Sequence, residues 1–227
     1  MELAKALGSS VTLLLLGCFV VGIALLFFRK TRRFAKHWLL WITGTYVVFG
    51  LPVVANAIAG SLPSASRLHG DDDPIDTLVV FDGDNRRGRL AVTLRVLASR
   101  PPEAVWILGD DWLIEELGRA GYPRRTFGQY NFVGNTRDQV EWVRRFLAQN
   151  SERAATLVVS RLQAPRVAAL ADKLGLALTL LSSPIDDETP ASGLRAWVPS
   201  YIAFRVSRDA TYEHVALWHY RRNGWID

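Results

Sequence analysis

The side chains that could do chemistry in this chain gather in short polar clusters, each following an apolar run or opening a helical one. Asp82-Gly83-Asp84 follows Thr77 to Phe81, and Arg89 opens the next helical stretch. Gly109-Asp110-Asp111 follows Ala104 to Leu108, Asn135-Thr136 precedes an amphipathic stretch, and Ser160, Gln163 and Arg166 follow Ala155 to Val159. Two arginines and several helix N-termini brought to one crevice would suit a phosphate or carboxylate, because charge-assisted hydrogen bonds and helix dipoles both favour an anion there. Gly83 and Gly109 fit either a close ligand approach or a simple turn out of a strand. Asn135, Thr136 and Ser160 also serve as ordinary helix N-caps.

These clusters must be held by the elements between them. Thr77-Leu78-Val79-Val80-Phe81 is a continuous, β-rich apolar run, the pattern of a strand buried on both faces of a parallel sheet. The pattern then alternates. It predicts a helix over Arg89 to Ala98, a strand over Ala104 to Leu108, a helix from Trp112 to Ala120 closed by Gly121, and a short strand near Arg125 to Phe127. Next come a helix over Thr136 to Ala148, a strand over Ala155 to Val159, a helix from Ala164 to Leu174 stopped by Gly175, and a strand over Leu176 to Leu181. Pro199 to Trp225 reads as an amphipathic helix with Tyr212, Val215, Leu217, Trp218 and Tyr220 available to pack on the sheet. Strand and helix in turn predict an α/β fold: an open parallel, Rossmann-like sheet with flanking helices and right-handed crossovers. In such a sheet ligands bind beyond the carboxyl ends of the strands, the rim to which the clusters belong.

Charge and hydropathy set this domain apart from what precedes it. Six of the 27 Lys and Arg but one of the 22 Asp and Glu lie before residue 63, so the net charge of +5 belongs to the first 62 residues. The remainder is formally neutral, which excludes a polyanion-binding face and nucleic acid as a partner. Two apolar runs flank five cations between Arg29 and His37. Each is long enough to cross about 30 Å of hydrocarbon, predicting spans at about residues 7–28 and 38–60. A short Lys/Arg-rich loop stays cytoplasmic, and Trp38 and Trp41 open the second span either as interfacial aromatics or as lipid-facing bulk. The expected organisation is therefore a two-helix transmembrane hairpin over 1–62, a linker over 63–75 containing Asp71-Asp72-Asp73 as a solvated segment, and one α/β domain over 76–227 outside the membrane. The first run is longer than a signal peptide's apolar region and is followed, not preceded, by cations, so a retained anchor is expected. The single cysteine, Cys18, lies in it, leaving the outer domain without a disulfide or thiolate metal site.

From Leu78 to Trp225 the chain resembles the YdcF-like proteins, the group containing SanA and ElyC. The resemblance runs through the strand and glycine turn Val79-Val80-Phe81-Asp82-Gly83-Asp84, the helix-opening arginine in Gly88-Arg89-Leu90, and the strand ending Trp106-Ile107-Leu108-Gly109-Asp110. It continues through Asn135-Thr136 and through Ser160-Arg161-Leu162-Gln163-Ala164-Pro165-Arg166, matching Ser-x-x-His-x-x-Arg, to Glu213 in the final helix. The chain departs from the pattern at Gln163, where the family has histidine, and at Asp110 and Asp111, where it has glycines. If that histidine is a general base, binding alone is retained. The resemblance implies two N-terminal spans in the plasma (inner) membrane of a bacterium with the domain on the periplasmic or extracellular side. It further implies a role in envelope or peptidoglycan biogenesis, on a phosphate-bearing small molecule or a polyprenyl-phosphate carrier; it assigns no reaction, cofactor or metal.

Two other readings compete. Phe81-Asp82-Gly83-Asp84 looks like the Asp-x-Asp of haloacid-dehalogenase-type phosphatases, with Asp82 as nucleophile and Asp84 as acid/base. Ser160, Lys173 and Asp186-Asp187 follow in an order that permits phosphate binding and magnesium ligation. Lys173 nonetheless falls at a helix end, and Asn-Arg-Arg follows Asp84. The second alternative is a non-catalytic binding or scaffold module of the same fold. A Ser-His-Asp hydrolase is disfavoured because Ser160 lacks the Gly-x-Ser-x-Gly turn.

Overall fold

The computed structural model describes residues 17–28, 30–65, 74–83, 85–131, 134–150, 154–184 and 193–227. The linker aspartates 71–73, Asp84 and Asp186-Asp187 lie outside the described residues. Two compact units form: Met1–Leu62 with Thr189–His214, and Pro63–Glu188 with Val215–Asp227. The described residues 193–214 thus group with the N-terminal segment.

The second unit is the α/β fold. Its strands are β1 (Thr77–Phe81), β2 (Ala104–Leu108), β3 (Phe127–Tyr130), β4 (Ala155–Ser160) and β5 (Leu178–Ser183). All pair in parallel in the order β3-β2-β1-β4-β5. Parallel pairing requires crossovers, supplied by α4 (Arg86–Ser99), α5 (Trp112–Arg119), α6 (Thr136–Gln149) and α7 (Ala164–Lys173). Because strand side chains alternate, Leu78 and Val80 of β1, Val105 and Ile107 of β2, Val158 and Leu181 share one face. They pack there with Val92 and Val96 of α4 and Leu113, Ile114 and Leu117 of α5. On the opposite face Trp106 meets Trp142 and Phe146 of α6 at ring-centroid separations of 5.1 and 5.7 Å. Gly128 of β3 makes room for the indole, since a Cβ there would lie 2.4 Å from the Trp106 ring.

Helix α8 (Tyr201–Arg222) gives its first turns to one unit and its last to the other. Leu217 and Tyr220 are buried, whereas Val215 and Trp218, expected to pack, are exposed.

In the first unit α1 (Gly17–Leu26) and α2 (Arg32–Gly50) form a helical hairpin. Its turn is closed by the Thr31 hydroxyl donating to the Leu25 carbonyl at 2.8 Å, and Trp38 Nε1 donates to the Cys18 carbonyl at 3.3 Å. The continuous span expected over 38–60 is not present: α2 ends at Gly50, α3 (Pro52–Gly60) begins beyond it, and the two axes bend by 65°. Pro52 is the physical reason, since its ring excludes a helical Leu51 and it has no N–H to give. Among the described residues no single helix is long and apolar enough to cross a membrane, although the bent pair passes that test together. Much of the first expected span lies outside the described residues. The carbonyls at the break are taken up within the unit, Gly50 by the Ser200 N–H at 2.8 Å and Phe49 by the Ser207 hydroxyl at 2.7 Å.

Candidate functional site

The strand order reverses direction beside β1: the chain runs β1, β2, β3 outward on one side and returns with β4 on the other. The carboxyl ends of β1 and β4 therefore flank the switch point at which open α/β sheets bind ligands. The described candidates of the α/β unit reach this rim in two groups.

The inner group is buried. Arg89, in the first turn of α4, donates Nη1 to the Phe81 carbonyl at the end of β1 and Nη2 to Gln163 Oε1 at 3.1 Å. Gln163, just after β4, donates Nε2 to Thr136 Oγ1 at 2.8 Å. One hydrogen-bonded chain thus joins the starts of α4, α6 and α7. Its members are less than a tenth exposed, where an unmet polar group would be costly. The Gln163 N–H also bonds the Ser160 hydroxyl at 3.3 Å, so Ser160 closes the turn into α7. Arg166, likewise buried, sets its Nη1 3.4 Å from the Tyr220 hydroxyl, with its guanidinium 5.3 Å from the Tyr220 ring.

The outer group is partly exposed. Arg86 bridges Asp82 and Asp110: its Nε lies 3.3 Å from Asp82 Oδ1, its Nη2 contacts Asp110 Oδ2, and it sits 5.7 Å from the Trp112 ring. Gln139 ties the two groups together, donating Nε2 to the Asp82 carbonyl at 3.1 Å. Two carboxylates thus share the Arg86 guanidinium in the outer group, whereas the arginines of the inner group, Arg89 and Arg166, are buried.

The glycines act differently from one another. Gly109 has φ +151° and a Cβ there would stand 2.0 Å from Asp82 Cβ, so its bare backbone is what lets the β1 and β2 loops touch. Gly83, at φ +144°, lies over the Arg89 guanidinium. Asn135 is an N-cap with both ends of its amide in use: Oδ1 accepts the Asp138 N–H at 3.0 Å and Nδ2 donates to Asp138 Oδ2 at 2.6 Å. Glu213 is buried in α8 and belongs to the other compact unit. Lys173 lies ten residues beyond Gln163, about 15 Å along α7, and pairs with the Asp227 carboxylate. It is not brought to Asp82. Among the described residues no group of three His, Cys, Asp or Glu side chains is placed to hold a metal ion.

Sequence reasoning missed Arg86, Gln139 and Asn85. Helical spacing was the signal for Gln139, three residues after Thr136 on α6, whereas Arg86 reaches Asp82 across a non-helical turn that periodicity does not show. Asn85 adopts φ +61°, ψ +45°, accepts the Gly88 N–H at 3.2 Å and donates to Ser183 Oγ at 3.3 Å, locking the loop after β1 to the end of β5.

Nothing matches by comparison. No protein-family model matches the chain, and no curated protein or solved structure does.

Proposed function

We propose that the α/β unit binds a phosphate-bearing ligand at the β1/β4 switch point, in a YdcF-like protein attached to a bacterial plasma membrane and acting in envelope biogenesis. A polyprenyl-phosphate carrier is the lipid form of that ligand. The observation that carries the reading is the buried Arg89–Gln163–Thr136 chain, which fixes a guanidinium and the N-termini of α6 and α7 at one point of the rim. Fixed donors and helix dipoles of one sign are what an anion requires. The motif order from Val79 to Arg166 supports the family; the exposed apolar side chains of α1 and α2 support membrane attachment.

Gln163 supplies binding rather than proton transfer at its position, because a carboxamide does not exchange protons near neutral pH as an imidazole does. The test is titration of the detergent-purified chain with inorganic phosphate and, separately, with a polyprenyl phosphate, alongside native mass spectrometry for a co-purifying anion. Arg166→Lys, which keeps the charge and loses the planar fork, should weaken binding about tenfold or more, as expected for loss of a charge-assisted hydrogen bond. Unchanged affinity in a variant with the parent's unfolding midpoint places the site elsewhere.

A further inference from the structure

The first unit carries an apolar surface at the start of α8 and in the turn before it that neither the hairpin nor the rim accounts for. Gly193–Trp197 forms a 3-10 turn leading through Val198 and Pro199 into α8. Leu194 is 88% exposed and Trp197 65%, and Val198 and Tyr201 are exposed as well. This segment is pinned in place: the Ser200 N–H bonds the Gly50 carbonyl, and Pro199 Cβ lies 3.4 Å from where a Cβ on Gly50 would stand. Its position along α2 is therefore fixed at the α2/α3 break. That break lies 14 residues beyond Lys36, the last cation of the turn, or about 21 Å along the helix axis. On α2 itself Leu40 and Trp41 are also about 70% exposed.

We propose that Leu194, Trp197, Val198 and Tyr201 are a lipid-binding segment seated in the half of the membrane away from the cationic turn. This rests on the membrane attachment proposed above and adds a second contact to it. The composition is that of an interfacial anchor: Trp and Tyr place an apolar ring in lipid and a polar tip at the headgroups, and Arg195 can lay its stem on the same surface with its charge in water. With the cations at one headgroup layer, a site about 21 Å along α2 lies past the midplane of a hydrocarbon core about 30 Å thick and about 9 Å short of its far edge, so the rings sit in lipid and the Arg195 stem reaches toward the far headgroups.

The experiment uses the full chain carrying Cys18→Ser, with single spin-labelled cysteines at Trp197→Cys, Leu40→Cys and Arg119→Cys. Each is reconstituted in nanodiscs of phosphatidylcholine and phosphatidylglycerol and collided with oxygen and a nickel chelate. The oxygen-to-nickel accessibility ratio at 197 and 40 should exceed that at 119 several-fold. In parallel, quenching of intrinsic fluorescence by brominated lipid should fall in Trp197→Phe. Arg119 is an exposed α5 residue, and position 197 is exposed enough that neither change disturbs a core. A water-like ratio at 197 with a lipid-like ratio at 40 overturns this proposal and leaves membrane attachment standing. Water-like ratios at both overturn the attachment and this proposal with it. Shielding of 197 from both reagents, with spin–spin broadening, means that a second copy of the chain covers the segment and also overturns it.

Discussion

At the scale of residues, Gln163 is held at both ends of its amide, accepting from Arg89 and donating to Thr136. A neutral imidazole has the same pair of functions, one nitrogen to accept and one N–H to donate, and the neighbouring guanidinium favours that neutral form. Gln163→His should therefore fold with nearly the parent's stability and gain a group that titrates below the ordinary histidine range, read by NMR of the imidazole. Gln163→Leu removes both functions while keeping the volume, leaving the Arg89 fork and the Thr136 hydroxyl each short of a buried partner. Denaturant unfolding should show a loss of about 1–3 kcal/mol per orphaned group. Equal stability of the leucine variant would mean that water replaces the amide and that the chain does not fix Arg89. Gly109→Ala tests the other close approach. Its Cβ has nowhere to go beside Asp82, and its φ disfavours any side chain, so a thermal melt should fall by several degrees, while Gly118→Ala, with open space around it, should not lower the midpoint.

At the scale of elements, the caps decide how much could be read from sequence. β1 and β2 begin and end where their uninterrupted apolar runs do, because a strand buried on both faces leaves no other pattern. β5 starts at Leu178 rather than Leu176. Gly175, at φ +63°, turns the chain so that the Leu176 N–H bonds back to the Ala171 carbonyl at 2.9 Å, spending residues 175–177 on the helix end. β3 is displaced from 125–127 to 127–130 by the 3-10 turn that Pro123 opens. Helix α4 begins three residues early because Asn85 caps it from the left-handed region, an option that Asn has and that apolar periodicity cannot show. The rim residues were legible as positions, since topology places them. Their partners were not, since the Arg89–Gln163 bond spans 74 residues of sequence. Pro52 was visible but lay inside an apolar run whose composition alone reads as one span. The broken helix leads to a prediction at its own scale. Ser207→Ala withdraws the donor from the Phe49 carbonyl inside the first unit, and the chain in detergent should lose about 1–3 kcal/mol against thermal or denaturant unfolding. Ser64→Ala, at an exposed position, supplies the control; equal effects of the two would mean that the break is not held by this bond.

At the scale of the whole molecule, the cations and the bend give opposite instructions about where the α/β unit is delivered. On the membrane attachment proposed above, Lys30, Arg32, Arg33 and Lys36 around the start of α2 would hold that end on the cytoplasmic side, because short basic segments resist translocation. The apolar part of α2 from Trp38 to Gly50 covers only about 20 Å, and α3, bent by 65°, adds about 6 Å more along the α2 axis. The pair crosses a core about 30 Å thick only if the bilayer thins slightly or Lys36 and His37 reach out to the headgroups, costs of fractions of a kcal/mol per Å. Such costs are small beside the several kcal/mol of taking four cations across, so the charge should prevail and residues beyond Leu62 should lie outside. A reporter active only in the cytoplasm, fused after Asp227, is then expected to be silent, and one active only outside should give signal. Replacing Arg32, Arg33 and Lys36 together by glutamate removes the asymmetry and should move a measurable fraction of the fusion to the cytoplasmic side. A cytoplasmic signal from the unaltered chain would overturn the crossing and place the rim, and any ligand it takes, in the cytoplasm.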